Sequence, residues 1–548
     1  MQQQIFNPAD YPIVMAIDFG TTFSGCAYAY AQDDQEIIDI TSWPRQIIQY
    51  PKTPTINLYK KNDPEHNLMA WGWRAKLEML KPTAKHHTLL QQYKLYLDEN
   101  MHHSPLDVDI TVLDAISDYL SAFHDYVAGE VMRGFAKNFQ REHIRYCLTV
   151  PAMWSDKAKN VMRQAAIKAK IIKETDHPDR LMLISEPEAA ALYCERKCDQ
   201  FNLGHGDRFM ICDAGGGTVD LIVFEIAETN GGRRLSEVTK GHGASCGSVF
   251  LDRNMRLLLE RKFGHSAANF PATIIPNLVD TFADVIKPQF DGLEEQFLQL
   301  PANKCFDELE NPEAIGIDDG YMVLSALELK EHVFEPVVKD VLSLIQHQLS
   351  QAKHCSAIFL VGGFGSSNYL YSRVKSQFKH QVELISTPPR AEMAVVRGAV
   401  TAGLNPRVVT ARIARRSYGI SSDQPFEKGK DPIAKRKFEV NGVWCIDRFT
   451  PFVRKGQKLN VDECISREFS FTKFTNDIQE EYNIALYACD ADGEPPRYTT
   501  DVGVTKLADI PIPSPHAPSA PLGSMVTLIK LMNFYFILFC SLNDKPNG

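Results

Sequence analysis

With 548 residues the chain exceeds a single compact domain, and 44% apolar with 23% charged residues is the make-up of an ordered globular protein, which excludes a disordered or fibrous one. A net charge of −9 carries no basic excess, so a nucleic-acid role lacks electrostatic support. Twelve cysteines form no regular framework; Cys194 and Cys198 have no second pair or histidine motif to complete a zinc site, and reduced thiols are expected.

Residues 1–10 have neither the basic start nor the long apolar core of a secretory signal, so a cytoplasmic address is the default. The first strong pattern follows at once. Residues 14–17 are apolar, Asp18 ends the run, Gly20, Thr21 and Thr22 make a turn, and a second strand spans 26–30. Residues 50–59 alternate turn formers with β formers, 69–73 lead into a helical stretch, and 91–98 carries Lys94. Leu113, Ile116, Tyr119, Leu120, Phe123 and Val127 stand at helical spacing, and 143–150 reads as a buried strand ending at Pro151, the helix-then-strand order of an α/β lobe. An amphipathic run reaches Lys170. Glu186, Pro187 and Glu188 then precede three alanines; the proline suits a first helical turn, and the alanines allow another helix to approach closely.

Residues 208–225 repeat the opening pattern, with an apolar run, Asp213, the glycines Gly215, Gly216 and Gly217, Thr218, Asp220 and a second apolar run. Backbone N–H groups in such a turn can point at one anion, and the flanking carboxylates would repel a nucleotide unless a hard cation came with it; the pattern predicts phosphate plus Mg²⁺. A lone triple glycine is weak, since tight hairpins need glycine in any case. Two such hairpins about 195 residues apart, with Asp18 matching Asp213, predict two related lobes that share one phosphate chain. Residues 241–248 form a glycine-bearing turn, and 255–350 reads as mostly helical with a β excursion at 321–324. An apolar strand at 357–361 opens on Gly362, Gly363 and Gly365 and a helix at 369–378, a strand-to-helix turn suited to an anion or a polar sugar.

Asn405 and Pro406 end the next helix, and 407–416 is a basic linker. From 417 to 512 short strands alternate with the turn signals Asn441-Gly442, Lys455-Gly456 and Asp492-Gly493, the pattern of a small β domain. The proline-rich stretch 511–521 reads as linker. Residues 525–542 are mostly apolar, interrupted by Lys530 and Asn533, and sit at the lower limit for a membrane span; membrane contact is expected only if they are a genuine anchor rather than an altered end.

The two hairpins, with 183–192 between them and 358–365 beyond, resemble in order the ATPase domain of the heat shock protein 70 family, within the actin-like superfamily. The match covers 12–405, and 415–420 with 444–449 look more like the family's divergent member 12 group. The resemblance implies an α/β, two-lobed actin-like (ribonuclease H-like) domain with lobes at 12–200 and 201–405, after an extension at 1–11. Beyond it come a linker at 406–416, a truncated β domain at 417–512 and a tail at 513–548.

The same resemblance implies slow Mg²⁺-dependent ATP hydrolysis to ADP in a chaperone-type protein, with an unfolded-peptide or protein client and co-chaperones or nucleotide-exchange factors as partners. Gly20, Thr21, Thr22, Phe23 and Gly215 to Thr218 would hold phosphates, with Gly247 near the β-phosphate. Lys287 would cover adenine, and Gly362, Gly363 and Gly365 would border the adenosine. Asp18, Glu186, Asp213 and Asp220 would organise the waters of Mg²⁺, and Lys94 would orient the attacking water, with Glu186, Asp213 and Thr218 as further catalytic groups. Blander readings stay open: a solvated helix lysine for Lys94, a helix-dipole acid for Glu186, a surface lysine for Lys287.

Residues 151–170 resemble the family's proline switch, but its arginine stands here as Lys159, which keeps the charge without the planar fork. With the basic linker and no lid after the β domain, weak coupling between nucleotide and client is expected. The alternatives are a non-hydrolysing nucleotide-gated scaffold and a small-metabolite kinase of the same superfamily; the Glu-Pro-Glu-Ala segment and the C-terminal β domain argue against the kinase.

Overall fold

The computed structural model describes residues 10–31, 36–99, 101, 104–134, 140–229, 232–306, 308–439, 442–460, 464–472, 481–513 and 525–533. Two compact units form, Met1–Arg233 with Gly241–Val408, and Arg234–Lys240 with Val409–Gly548.

The first unit is built twice from one plan. In its first lobe β1 (Ile13–Phe19) runs antiparallel to β2 (Phe23–Tyr30), as the turn between them requires. On its other side β1 pairs in parallel with β3 (Ile144–Val150), and β3 with β4 (Leu181–Ser185). Helix α1 (Val112–Arg133), capped reciprocally by Thr111 and Asp114, and α2 (Asp156–Lys168) supply the crossovers that parallel strands need. Every residue of β1 and β3 is buried, as in a sheet covered on both faces. Helix α3 (Glu186–Glu195) leaves β4 directly, capped by the Ser185 side chain.

In the second lobe β5 (Arg208–Ala214) pairs antiparallel with β6 (Val219–Thr229), and in parallel with β7 (Ala357–Val361), which is followed by β8 (Leu384–Ser386), also parallel. The strand orders 2-1-3-4 and 6-5-7-8 correspond, so the duplicated hairpins seen in the sequence mark duplicated sheets. Helix α4 (Val249–Phe263) follows the second hairpin, α5 (Asn368–Phe378) follows the third glycine segment, and α6 (Ala394–Leu404) crosses back to the first lobe. The β excursion at Tyr321–Leu324 is a strand of a small three-stranded sheet.

His124 of α1 shows what burial costs in this core. Its Nε2 lies 2.8 Å from the Tyr146 hydroxyl, and burial, helped by the Arg141 charge, lowers its pKa from 6.5 to about 4. The neutral imidazole is therefore stabilising above the unfolded pKa, and that stability drains away as pH falls toward the folded one. Urea unfolding at pH 7.5 and pH 5 is expected to show about 2 kcal/mol more acid loss for the native chain than for His124→Phe.

One sequence expectation is refined in the second unit. Residues 406–416 are not simply a linker: β9 (Val409–Ile413) is a strand, parallel to residues 235–236 and antiparallel to Lys458–Asn460, with Val409 and Ala411 buried. Val409 and Ala411 alternate on the buried side, and Arg412, the one arginine within the strand, takes the intervening, half-buried position. The β domain itself is a five-stranded sheet in the order Arg436–Glu439, β11 (Gly442–Val453), β10 (Ser417–Pro425), β13 (Glu481–Cys489), β14 (Val504–Pro513). Pro511 and Pro513 lie in β14, an edge strand, where a missing N–H is tolerated.

The apolar end, open between an anchor and an altered end, is described in part. Met525–Asn533 is strand β15, paired antiparallel along its whole length with β12 (Cys464–Thr472). The segments 514–524 and 534–548 lie outside the described residues. Among the described residues no helix is long and apolar enough to cross a membrane.

Candidate nucleotide site

The turns of the two hairpins meet. A Cβ on Gly216 would lie 2.3 Å from Thr22 Oγ1, and one on Gly217 would lie 2.4 Å from Thr21 Oγ1, so only glycine permits this approach. Gly20 is equally tight, 2.2 Å from the Phe23 carbonyl, and the Phe23 ring packs edge-on against Tyr50 at 5.0 Å. The second turn is braced from behind. The N–H groups of Gly247, Ser248 and Val249 donate to the carbonyls of Gly217, Gly215 and Gly216. Gly247, expected near the β-phosphate, spends its N–H on the turn. Gly362, at φ +83°, presses on the Ala214 carbonyl and Asp213 Oδ1, bringing the third glycine segment to the same place; Gly363 faces the Tyr50 hydroxyl, and Gly365 packs on Leu360.

Antiparallel register sets Asp213 directly across from Asp220, and Asp18 across from Gly25. All three carboxylates and Glu186 are buried. Burial, then the neighbouring charges of Glu186, Asp18 and Asp220, push the Asp213 carboxyl well above the usual range. Burial and Glu186 raise Asp220 to about 7, and burial raises Glu186 against the pull of Lys94. Asp18 goes the other way. Burial would raise it too, but the charge and hydrogen bond of Lys52 outweigh that and hold it low.

Lys94 is no solvated helix lysine. It sits in a 3-10 turn (Tyr93–Leu97) entered through Gln92 in a left-handed conformation, is 3% exposed, and donates to Glu186 Oε1 at 2.7 Å. Its ammonium lies 5.2 Å from the Trp154 ring and 5.9 Å from Phe19. The segment after Pro151 touches the site again through Met153, whose N–H donates to Asp220 Oδ1 at 3.1 Å. Lys159, by contrast, pairs with Asp156 of its own helix at 3.8 Å. Lys287 donates to both oxygens of Asp252 on α4, at 2.7 and 2.9 Å; the ammonium expected over adenine is tied to that carboxylate.

Two groups escaped the motif reading. Thr149, at the end of β3, donates to Asp18 Oδ1 at 2.9 Å, and Lys52 donates to Asp18 Oδ2 at 2.6 Å with both side chains buried. The available signal was the glycine at position 25, which leaves space on the first hairpin where the second carries an acid.

Two lobes that repeat one hairpin-and-parallel-strand plan, with glycine turns meeting over buried acids, define an actin-like ATPase fold of the heat shock protein 70 type. Along its length the chain resembles the divergent 12A/12B group of that type. It is 25% identical to human (Homo sapiens) heat shock 70 kDa protein 12A over 581 residues, 91% of this chain and 84% of the relative. To human heat shock 70 kDa protein 12B it is 26% identical over 587 residues, 91% and 83% of the two chains. Chaperone protein DnaK of Thermosipho melanesiensis is 24% identical over 410 residues, 71% of this chain and 59% of that protein. Residues 412–511 match a family described as a domain of unknown function, DUF8568.

Proposed function

We propose that the chain binds ATP with Mg²⁺ and hydrolyses it slowly, as a chaperone-type protein whose nucleotide state is weakly linked to a peptide client. One observation carries this reading: four buried carboxylates, the buried Lys94 and two glycine turns from separate lobes converge on one place. The residues fit a hydrated cation. Asp220 Oδ2 is buried with no hydrogen-bond partner among the described residues, and burial together with the neighbouring acids raises Asp213 and Asp220. Bound there, Mg²⁺ supplies charge neutralisation for the phosphoryl group. Asp18, Glu186, Asp213 and Asp220 fix its waters, the hairpin turns hold phosphate, and Lys94 with Glu186 orients a water.

Calorimetry of the full chain is the test: absence of heat with both MgATP and MgADP sinks the reading. The names of the relatives, heat shock and chaperone proteins, support a peptide client, and Lys159 in place of arginine supports weak linkage. Fluorescent-peptide affinity is expected to differ less than tenfold, about 1.4 kcal/mol, between ATP and ADP. A scaffold that binds nucleotide without turnover is favoured by one feature, the commitment of the Lys94 ammonium to Glu186 between two rings. Single-turnover hydrolysis separates the two.

A further inference from the structure

The duplicated lobes invite a residue-by-residue comparison of their hairpins. In the second, Asp213 faces Asp220 across the ladder; in the first, the partner of Asp18 is Gly25. The space is not empty. A Cβ on Gly25 would lie 3.0 Å from Lys52 Cγ and 3.2 Å from Lys52 Cε, so the lysine stem fills the volume that a side chain at 25 would take. Its course is fixed. Lys52 precedes the strand Thr53–Pro54, which pairs with Ser24 and Phe23 of β2, and the Thr55 N–H donates to the Thr22 carbonyl at 2.8 Å. The ammonium therefore emerges inside the acid cluster, on Asp18 Oδ2, within the influence of Asp213 and the Tyr50 hydroxyl.

We propose that Lys52 is a built-in countercharge of the nucleotide site, a positioning residue that holds Asp18 and keeps free divalent cations out until a nucleotide brings one in. The inference rests on the MgATP reading and goes beyond it. With Lys52 and Lys94 set against four carboxylates, the first lobe contributes Asp18, Glu186 and two ammonium groups, and the second contributes two acids, with no buried Lys or Arg among its described residues. A divalent ion arriving alone meets a like charge on Asp18; one arriving on a phosphate chain carries anions that Lys52 attracts.

The experiment is Mn²⁺ binding to the full chain without nucleotide, followed by electron paramagnetic resonance, for the native protein, Lys52→Met and Lys52→Arg. The native chain and Lys52→Arg are expected to bind Mn²⁺ weakly, with Kd near 1 mM or above, and Lys52→Met at least about tenfold more tightly. Native binding already in the micromolar range overturns the proposal without recourse to any variant. So does a folded Lys52→Met whose affinity matches the native chain. A tightening shared by Met and Arg also overturns it, since that traces to shape rather than charge. Failure of MgATP to bind in calorimetry strikes the nucleotide reading and leaves the Mn²⁺ result standing, so the two failures are distinguishable.

Discussion

Lys94→Ala is expected to slow single-turnover hydrolysis of bound ATP by about 10²–10³-fold, the scale on which removal of one preorganised charged donor is felt. The substitution also strips Glu186 of its partner. A buried carboxylate left alone costs about 3–5 kcal/mol if it stays ionised, but Glu186 already sits high in pKa and can neutralise by taking a proton, which trims the loss. A thermal melt should therefore fall for Lys94→Ala and recover in Lys94→Met combined with Glu186→Gln, while turnover stays low in both. Zero turnover in the native chain and in Lys94→Ala alike would make the scaffold reading the better one.

The second large effect lies where no ligand group is found. Helix α6 crosses α3 so closely that a Cβ on Gly398 would stand 1.6 Å from the Ala189 carbonyl oxygen, a backbone atom that no rotamer change can move aside. Gly398→Val is expected to destabilise the first unit by about 3 kcal/mol or more, since overpacking here must shift a helix rather than a side chain. Because α3 begins at Glu186, the same shift displaces the Glu186–Lys94 pair. Denaturant unfolding together with nucleotide affinity checks both halves: native-like stability with native-like affinity would show that the crossing has slack.

The hairpins and their acids were legible because each rests on a local pattern, an apolar run ended by a charged or glycine residue, repeated once; Glu186 was singled out only through the family resemblance. Gly247 was expected near the β-phosphate; its N–H donates to Gly217, a choice of acceptor that spacing does not reveal. Lys52 was invisible for a related reason. Its partner lies 34 residues away, and its route depends on a missing side chain at Gly25. Composition alone misses the strands within 406–416 and 525–542: arginines suggest an exposed link, whereas Val409–Ile413 and Met525–Asn533 are strands paired with distant residues. Short apolar runs serve strand and membrane segment alike until a partner strand is known.

The indole of Trp154, set against the Lys94 ammonium and 6% exposed, has a consequence for how this protein can be watched. Its emission depends on the electric field along the ring, and that field is set by whether Lys94 faces Glu186 alone or a polyphosphate as well. Trp43, by contrast, is stacked on Phe123, with ring centroids 5.2 Å apart. Titrating MgATP while recording tryptophan emission should therefore give a spectral shift that Trp154→Phe abolishes, an intrinsic optical readout of the site that needs no label.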